Sequence, residues 1–272
     1  KNANSRGVTC PAVNRIYDIY SGYCYLAAGT PKAGNVLIDV PELFNSTAVN
    51  DQTAMNREHS WVKNWFDHGS AANNPAQGDY CYNGNSDSTY AASGNFYDFR
   101  AYTDIHHLMP TDSTANTGRG NLPFGYVDVV SNSYNATGGK AATPPTGGKK
   151  GTPHYSNISQ GVYTTCGTAT DQVPCSANPV FEPPDHVKGD LARVYFYMAT
   201  RYYTEDNCWS STADAVNKAN IRPWQEKMLR KWHADDPVDA SEIIKNDLIQ
   251  RIQGNRNPFI DHPEWVAKIN DF

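Results

Sequence analysis

The chain has 272 residues, 39% of them hydrophobic and 12% aromatic, and a formal net charge of −5. That apolar content supports a substantial core and excludes a globally disordered chain, and the absence of any run of eighteen or more apolar residues excludes a membrane-spanning helix. The net negative charge speaks against a nucleic-acid binder that is basic all over, so any phosphate-contacting face has to be a local patch.

The opening stretch, KNANSRGVTCPAVNRIYDIY, lacks the basic, apolar and small-residue order of a secretory signal, so an exported protein is expected here in processed form. Six cysteines stand at 10, 24, 81, 166, 175 and 208, an even number without CxxC spacing or a Cys/His cluster of zinc type. Paired disulfides in an oxidising compartment are the expectation, with Cys166–Cys175 the first local candidate across a polar loop.

Residues 1–50 combine a short predicted helix with the apolar run VLIDV (36–40). Residues 51–130 are dense in His, Asn, Asp and Trp and hold two predicted strands. Residues 131–180 read as a loop-rich insertion, with Lys140, Lys149 and Lys150 as one basic source. From about 184 the pattern is helical. Val187, Leu191, Val194, Tyr195 and Met198 recur at three- and four-residue spacing behind Asp185 as a candidate N-cap. Further helices are predicted at 221–233, which offers Arg222, Lys227, Arg230 and Lys231 as a second basic source, and at 241–253. The latter is expected to bury Ile244, Leu248 and Ile252, with Ser241 as cap and Gly254 as stop. The class is α+β: a single domain over 1–272, with small mixed sheets and several helices.

Two segments carry candidate chemistry: Asn56-Arg57-Glu58-His59-Ser60-Trp61, and Asp104-Ile105-His106-His107-Leu108-Met109-Pro110 followed by TDSTANTGRGNLPFG. Phosphodiester hydrolysis needs an activated water, neutralised phosphorane charge and a stabilised leaving oxygen. A neutral histidine takes a water proton near pH 7, and a hard cation on Glu and Asn oxygens serves the leaving group. As bare ingredients, these residues occur in many proteins without such a role.

The segments NREHSW, DIHHLMPTDSTANTGRGNLPFG, FEPPDHVKGDLARVYFYMATRY and QGNRNPFIDHPEW, in this order from residue 56 to 265, resemble the bacterial endonuclease I family of secreted or periplasmic nonspecific nucleases. The resemblance implies a ββα-metal finger over about 55–125, two antiparallel strands and a helix around one divalent cation (Mg²⁺ first, Ca²⁺ or Mn²⁺ as alternatives). It makes His59 the general base, Glu58 the metal-binding carboxylate and Asn116 the second metal ligand. Asn116 is preferred to Asn121 by its distance from Pro110, taken as the end of a strand. Arg119 is expected at the scissile phosphate, with pairing to Asp112 or Asp104 as the structural alternative. Arg57, Arg100, His106 and Asn121 are supporting candidates, and His107 is a doubtful one. Glu182 and Lys188 read first as helix-entry residues. Adjacent strand residues point to opposite faces, so Glu58 and His59 are expected at a strand start or a distorted stretch. Their divergence into unrelated environments would remove Glu58 as a ligand.

The implied activity is cleavage of DNA, and of RNA as well, through the phosphate backbone without sequence preference, leaving 5′-phosphates, by a monomer. A secreted ribonuclease on the same finger is the alternative. A noncatalytic secreted binding module, suggested by the many Tyr and Trp residues, would keep Glu58, His59 and Asn116 apart.

Overall fold

The computed structural model describes residues 15–17, 19–20, 24–26, 55–66, 100–134, 147–153, 166–167, 173–174, 179–206, 209–210 and 213–272. The VLIDV run and Lys140, the side chains of Arg57 and Arg100, and those of all six cysteines lie outside the described set, and the proposed Cys166–Cys175 bridge with them.

The architecture is mixed α+β. Strands β1 (Arg15–Tyr17) and β2 (Cys24–Leu26) pair antiparallel. Strand β3 (Met55–His59) pairs antiparallel with β4 (Leu108–Asp112), Glu58 opposite Met109 and His59 opposite Leu108. A single turn of helix, α1 (Arg100–Thr103), and a 3-10 turn at Ile105–His107 lead into β4, and helix α2 (Ser113–Arg119) follows it directly. Asp112 starts α2 by accepting hydrogen bonds from the Thr114 and Ala115 amides, and Gly120, at φ 52°, ends it. The strand therefore runs two residues beyond Pro110, which was expected to end it, and places Asn116 in the middle of α2.

The segment read as a loop-rich insertion contributes to a second sheet. Strands β5 (Val127–Ser133), β6 (Lys149–Pro153) and β9 (Val180–Glu182) form a three-stranded antiparallel sheet in the order β5-β6-β9, while β7 (Cys166–Gly167) and β8 (Val173–Pro174) pair separately. Lys149 and Lys150 are thus strand residues, and Lys149 Nζ lies 3.1 Å from Glu182. Glu182 also accepts from Lys188 Nζ and the Val127 amide. It stitches the sheet to the helix entry, as the helix-entry reading of Glu182 and Lys188 implies.

Helix α3 (Lys188–Tyr202) is the central post, buried at every position from Leu191 to Ala199. Its start departs from the cap expected. Asp185 opens a 3-10 turn and takes the Lys188 ammonium at 2.6 Å. After a two-residue hairpin, β10 (Val216–Asn217) and β11 (Asn220–Ile221), come α4 (Pro223–Asp235), α5 (Ala240–Gln253) and α6 (Pro258–Asp261). One cluster of buried side chains runs from Trp61, Phe66, Met109 and Phe124 through Tyr195 and Phe196 to Trp232, Phe259 and Phe272.

Helix α5 corrects two expectations. Its cap is Asp239, in a capping box with Glu242, not Ser241. Ile244, Leu248 and Ile252 are 57%, 39% and 54% exposed, whereas Glu242, Asn246 and Ile249 face inward. The reason is polar docking. Glu242 receives both Nε and NH2 of the buried Arg193, Asn246 bonds the Asn257 backbone, and Gln253 bonds Asp104. The expected stop at Gly254 holds, at φ 89°. Three of the four basic residues named at α4 are engaged within the chain: Arg222 bonds the Ala213 carbonyl, Arg230 bonds Glu226 and the Val266 and Ile269 carbonyls, and Lys231 bonds Asp235, while Lys227 is exposed.

Candidate active site

An open cleft of about 400 Å³ lies between the end of β3 and helix α2. Glu58, His59, Lys63, Tyr102, Asn116, Thr117, Arg119 and Asn121 all contribute to its lining. Glu58, His59 and Asn116 thus meet in one place, contrary to the separation that a noncatalytic module implies, and Asn121 joins them from the turn after α2.

The strand paradox resolves at the end of β3 and not at a strand start. Glu58 and His59 do diverge at first contact. Glu58 is 2% exposed, and its Oε1 accepts from Tyr20 OH at 2.7 Å and Arg119 NH1 at 2.6 Å. His59 is half-buried, stacked on Tyr102 with ring centroids 4.8 Å apart, and its Nδ1 lies 3.0 Å from His107 Nε2. Because His59 is the last strand residue and Ser60 begins a bend, both side chains reach the same cleft.

Arg119 is ion-paired to Glu58, in place of the Asp112 or Asp104 partners considered for it. Its guanidinium is 1% exposed and also donates to the backbone carbonyls of His59, Ser60 and Leu122, with Phe124 beneath it at 4.4 Å. Burial is the largest single influence and works against this charge, but Glu58, Tyr20 and Tyr195 together outweigh it, so the pKa of Arg119 is raised. Burial, then the neighbouring Glu58 charge, also holds the Tyr20 phenol well above its usual range, so it remains a donor. Tyr195 OH completes the frame by donating to the Ser60 carbonyl at 3.0 Å.

The two histidines of the 3-10 turn exchange the standing expected for them. Successive residues in such a turn are rotated by about a third of a circle. His106 therefore points away from the cleft and packs on Tyr197 at 4.5 Å, in a small internal cavity with Lys245, Asn246 and Asn257. Burial pushes its pKa down to about 4. His107 is fully buried behind His59, and burial pushes it down to about 3, so both rings are neutral near pH 7. The buried Asp104 beside them accepts from the His106 amide, Gln253, Tyr197 and Tyr202, and ties the β3–β4–α2 unit to α3 and α5. Sequence reading missed Tyr20, Lys63, Tyr102 and Tyr195 and undervalued His107. Tyr20, Tyr102 and Tyr195 carry no local motif and act through contacts distant in the chain, as His107 does through His59, while Lys63 joins the cleft just after β3.

The sequence model of the family described as Endonuclease I matches residues 10–158 and 145–264. The chain belongs to the endonuclease I family. Within and around this family, the chain is similar to an extracellular ribonuclease of Bacillus amyloliquefaciens, 32% identical over 217 residues, which are 79% of this chain and 53% of the relative. It is similar to an extracellular ribonuclease of Bacillus subtilis (strain 168), 33% identical over 170 residues, 61% of this chain and 46% of the relative. An extracellular deoxyribonuclease of Aeromonas hydrophila is 26% identical over 158 residues, 58% of this chain and 49% of the relative. These three relatives are extracellular nucleases of both substrate classes, and this chain spans about half their length. Among the described residues, no helix is long and apolar enough to cross a membrane.

Proposed function

We propose that this endonuclease I chain is a secreted or periplasmic, divalent-cation-dependent endonuclease that hydrolyses DNA and RNA backbones without sequence preference. The observation that supports it is the convergence of Glu58, His59 and Asn116 on one open cleft framed by a buried ion pair. The strand–strand–helix order of β3, β4 and α2 supports the reading of this unit as a ββα finger. The extracellular nucleases among its relatives support the substrate class and the location.

His59 takes the proton of the attacking water, its ring held by Tyr102 on one face and by His107 at Nδ1. Arg119 is assigned to pairing with Glu58 and holding the end of β3 in place, because its guanidinium already donates to Glu58, His59, Ser60 and Leu122. Lys63, exposed at the cleft, is the nearer cation for substrate phosphate. The donors fit a Mg²⁺-type ion. Glu58 would supply one carboxylate, and Asn116, then Asn121, would supply carbonyl oxygens, the donor type that a hard divalent cation takes. Such a cation, when bound, offsets charge on the scissile phosphate and stabilises the leaving 3′-oxygen.

The test is cleavage of DNA and RNA of matched sequence with Mg²⁺ and with chelator, together with end-group analysis. Loss of cleavage in chelator, recovery with Mg²⁺ and 5′-phosphate ends are expected. Undiminished cleavage in chelator would overturn the proposal. Asn116→Ala should raise the Mg²⁺ concentration needed for half-maximal rate by about tenfold or more, and an unchanged requirement would remove Asn116 as a ligand. The ribonuclease relatives favour a second reading, in which RNA is the preferred substrate. The matched-substrate rates decide it.

A further inference from the structure

The His59–His107 contact has two possible hydrogen-bond directions, and only one suits a general base. The two ring nitrogens are 3.0 Å apart, so a single proton lies between them. If it belongs to His107, His59 has its lone pair at Nδ1 and its own proton at Nε2. In that state Nε2 is unable to receive a proton from water. If it belongs to His59 Nδ1, the lone pair of His59 lies at Nε2, across the ring from His107.

We infer that His107 is a positioning residue whose Nε2 accepts the hydrogen bond from His59 Nδ1–H, fixing the rotamer and tautomer that leave His59 Nε2 as the proton acceptor. The inference rests on the reading of His59 as general base. His107 is fully buried, with Phe66 edge-on to its ring at 5.8 Å. Its other nitrogen, Nδ1, is also buried and makes no full hydrogen bond to a side chain or backbone atom. The Asp104 carbonyl, which accepts from the His107 amide at 3.3 Å, also acts on the ring and favours a proton on it. Nε2 lies against His59 Nδ1, so the proton favoured by that carbonyl is assigned to Nδ1, and Nε2 is left to accept.

Ring orientation supports the same direction. A half-turn of the His59 ring about its Cβ–Cγ bond would present a C–H to His107 Nε2 and forfeit the bond, while Tyr102 keeps the ring plane fixed. When His59 takes the water's proton at Nε2, Nδ1–H stays on His107 and nothing in the pair has to rearrange. His107 thus does for this base what a carboxylate does in a Ser-His-Asp triad, as a neutral acceptor.

The tautomer is read directly by ¹⁵N NMR of the histidine-labelled chain near neutral pH. The wild-type spectrum should show His59 protonated at Nδ1 and bare at Nε2. His107→Leu, which keeps bulk and removes the acceptor, should lose this signature and lower kcat by about 10²-fold with KM little changed. His107→Gln, whose carbonyl oxygen reaches the same place, should restore both in large part. A wild-type His59 protonated at Nε2, or a folded His107→Leu with unchanged tautomer and kcat, would overturn the inference. The wild-type spectrum needs no variant to fold. Full activity in His59→Ala overturns the base reading instead, and leaves the tautomer measurement as it stands.

Discussion

Glu58 and Arg119 are both almost inaccessible to water, yet both are charged, so each is tolerated only because of the other. Removing one partner of such a pair leaves an uncompensated buried charge, at a cost of about 3–5 kcal/mol. Arg119→Met should therefore lower unfolding free energy by about that amount in urea titration. The double variant Glu58→Leu/Arg119→Met should recover much of the loss while remaining inactive. A loss under about 1 kcal/mol in the single variant would mean that the pair is solvated in solution. His106 gives a second residue-scale outcome. Its pKa is pushed down to about 4 from an ordinary 6.5, by burial first, against the neighbouring Asp104 charge and with Lys245 and Arg256 assisting. Above 6.5 the ring is neutral folded and unfolded. Below it the unfolded chain binds the proton first, so this residue costs stability progressively as pH falls from 6.5 to about 4. The stability advantage of wild type over His106→Gln should shrink across that window, by at most about 1.4 kcal/mol per pH unit. Equal advantages at neutral pH and near pH 4.5 would contradict the burial seen here. The Glu58–His59 dipeptide was readable from sequence, because its members are adjacent. The Arg119 partner, 61 residues away, was not, and the roles of His106 and His107 depend on the rotation of one 3-10 turn.

At the scale of elements, periodicity finds a helix more reliably than it finds the helix's inner face. Helix α5 has an apolar row at Ile244, Leu248 and Ile252 and a mainly polar row at Glu242, Asn246, Ile249 and Gln253, and the polar row is the one that docks. Its partners, Arg193 on α3, Asn257 before α6 and Asp104 before β4, are scattered over the chain, so no local pattern announces them. Ile244→Ala should change stability by no more than about 0.5 kcal/mol, whereas Ile249→Ala should cost about 2–5 kcal/mol. Thermal unfolding of the pair checks this, and reversed magnitudes would restore the apolar face to the core. The start of α2 shows the opposite case: Asp112 precedes the first turn as an ordinary N-cap, and the order β4–α2 is the one that the family resemblance of the segment implies. The strands β5, β6 and β9 were hidden because their pairing spans a segment rich in Gly, Pro and Thr.

The whole molecule carries a net charge of −5, and among the described residues several basic side chains are engaged within it. Arg119, Arg193, Arg230 and Lys188 each hold carboxylates or backbone carbonyls. On the proposed function, affinity for a polyanion is expected to draw on cations near the cleft, Lys63 among them, and on a bound divalent ion. KM for DNA should rise by about tenfold or more between roughly 50 and 200 mM salt if about three phosphate contacts are made. A salt-independent KM would place binding elsewhere. The cleft itself is tested most directly by His59→Ala, assayed for plasmid nicking in Mg²⁺ beside a thermal unfolding curve that shows the variant folded. Cleavage should fall by about 10²-fold or more with the unfolding midpoint preserved; wild-type cleavage by the folded variant would contradict the assignment of the reaction to this site.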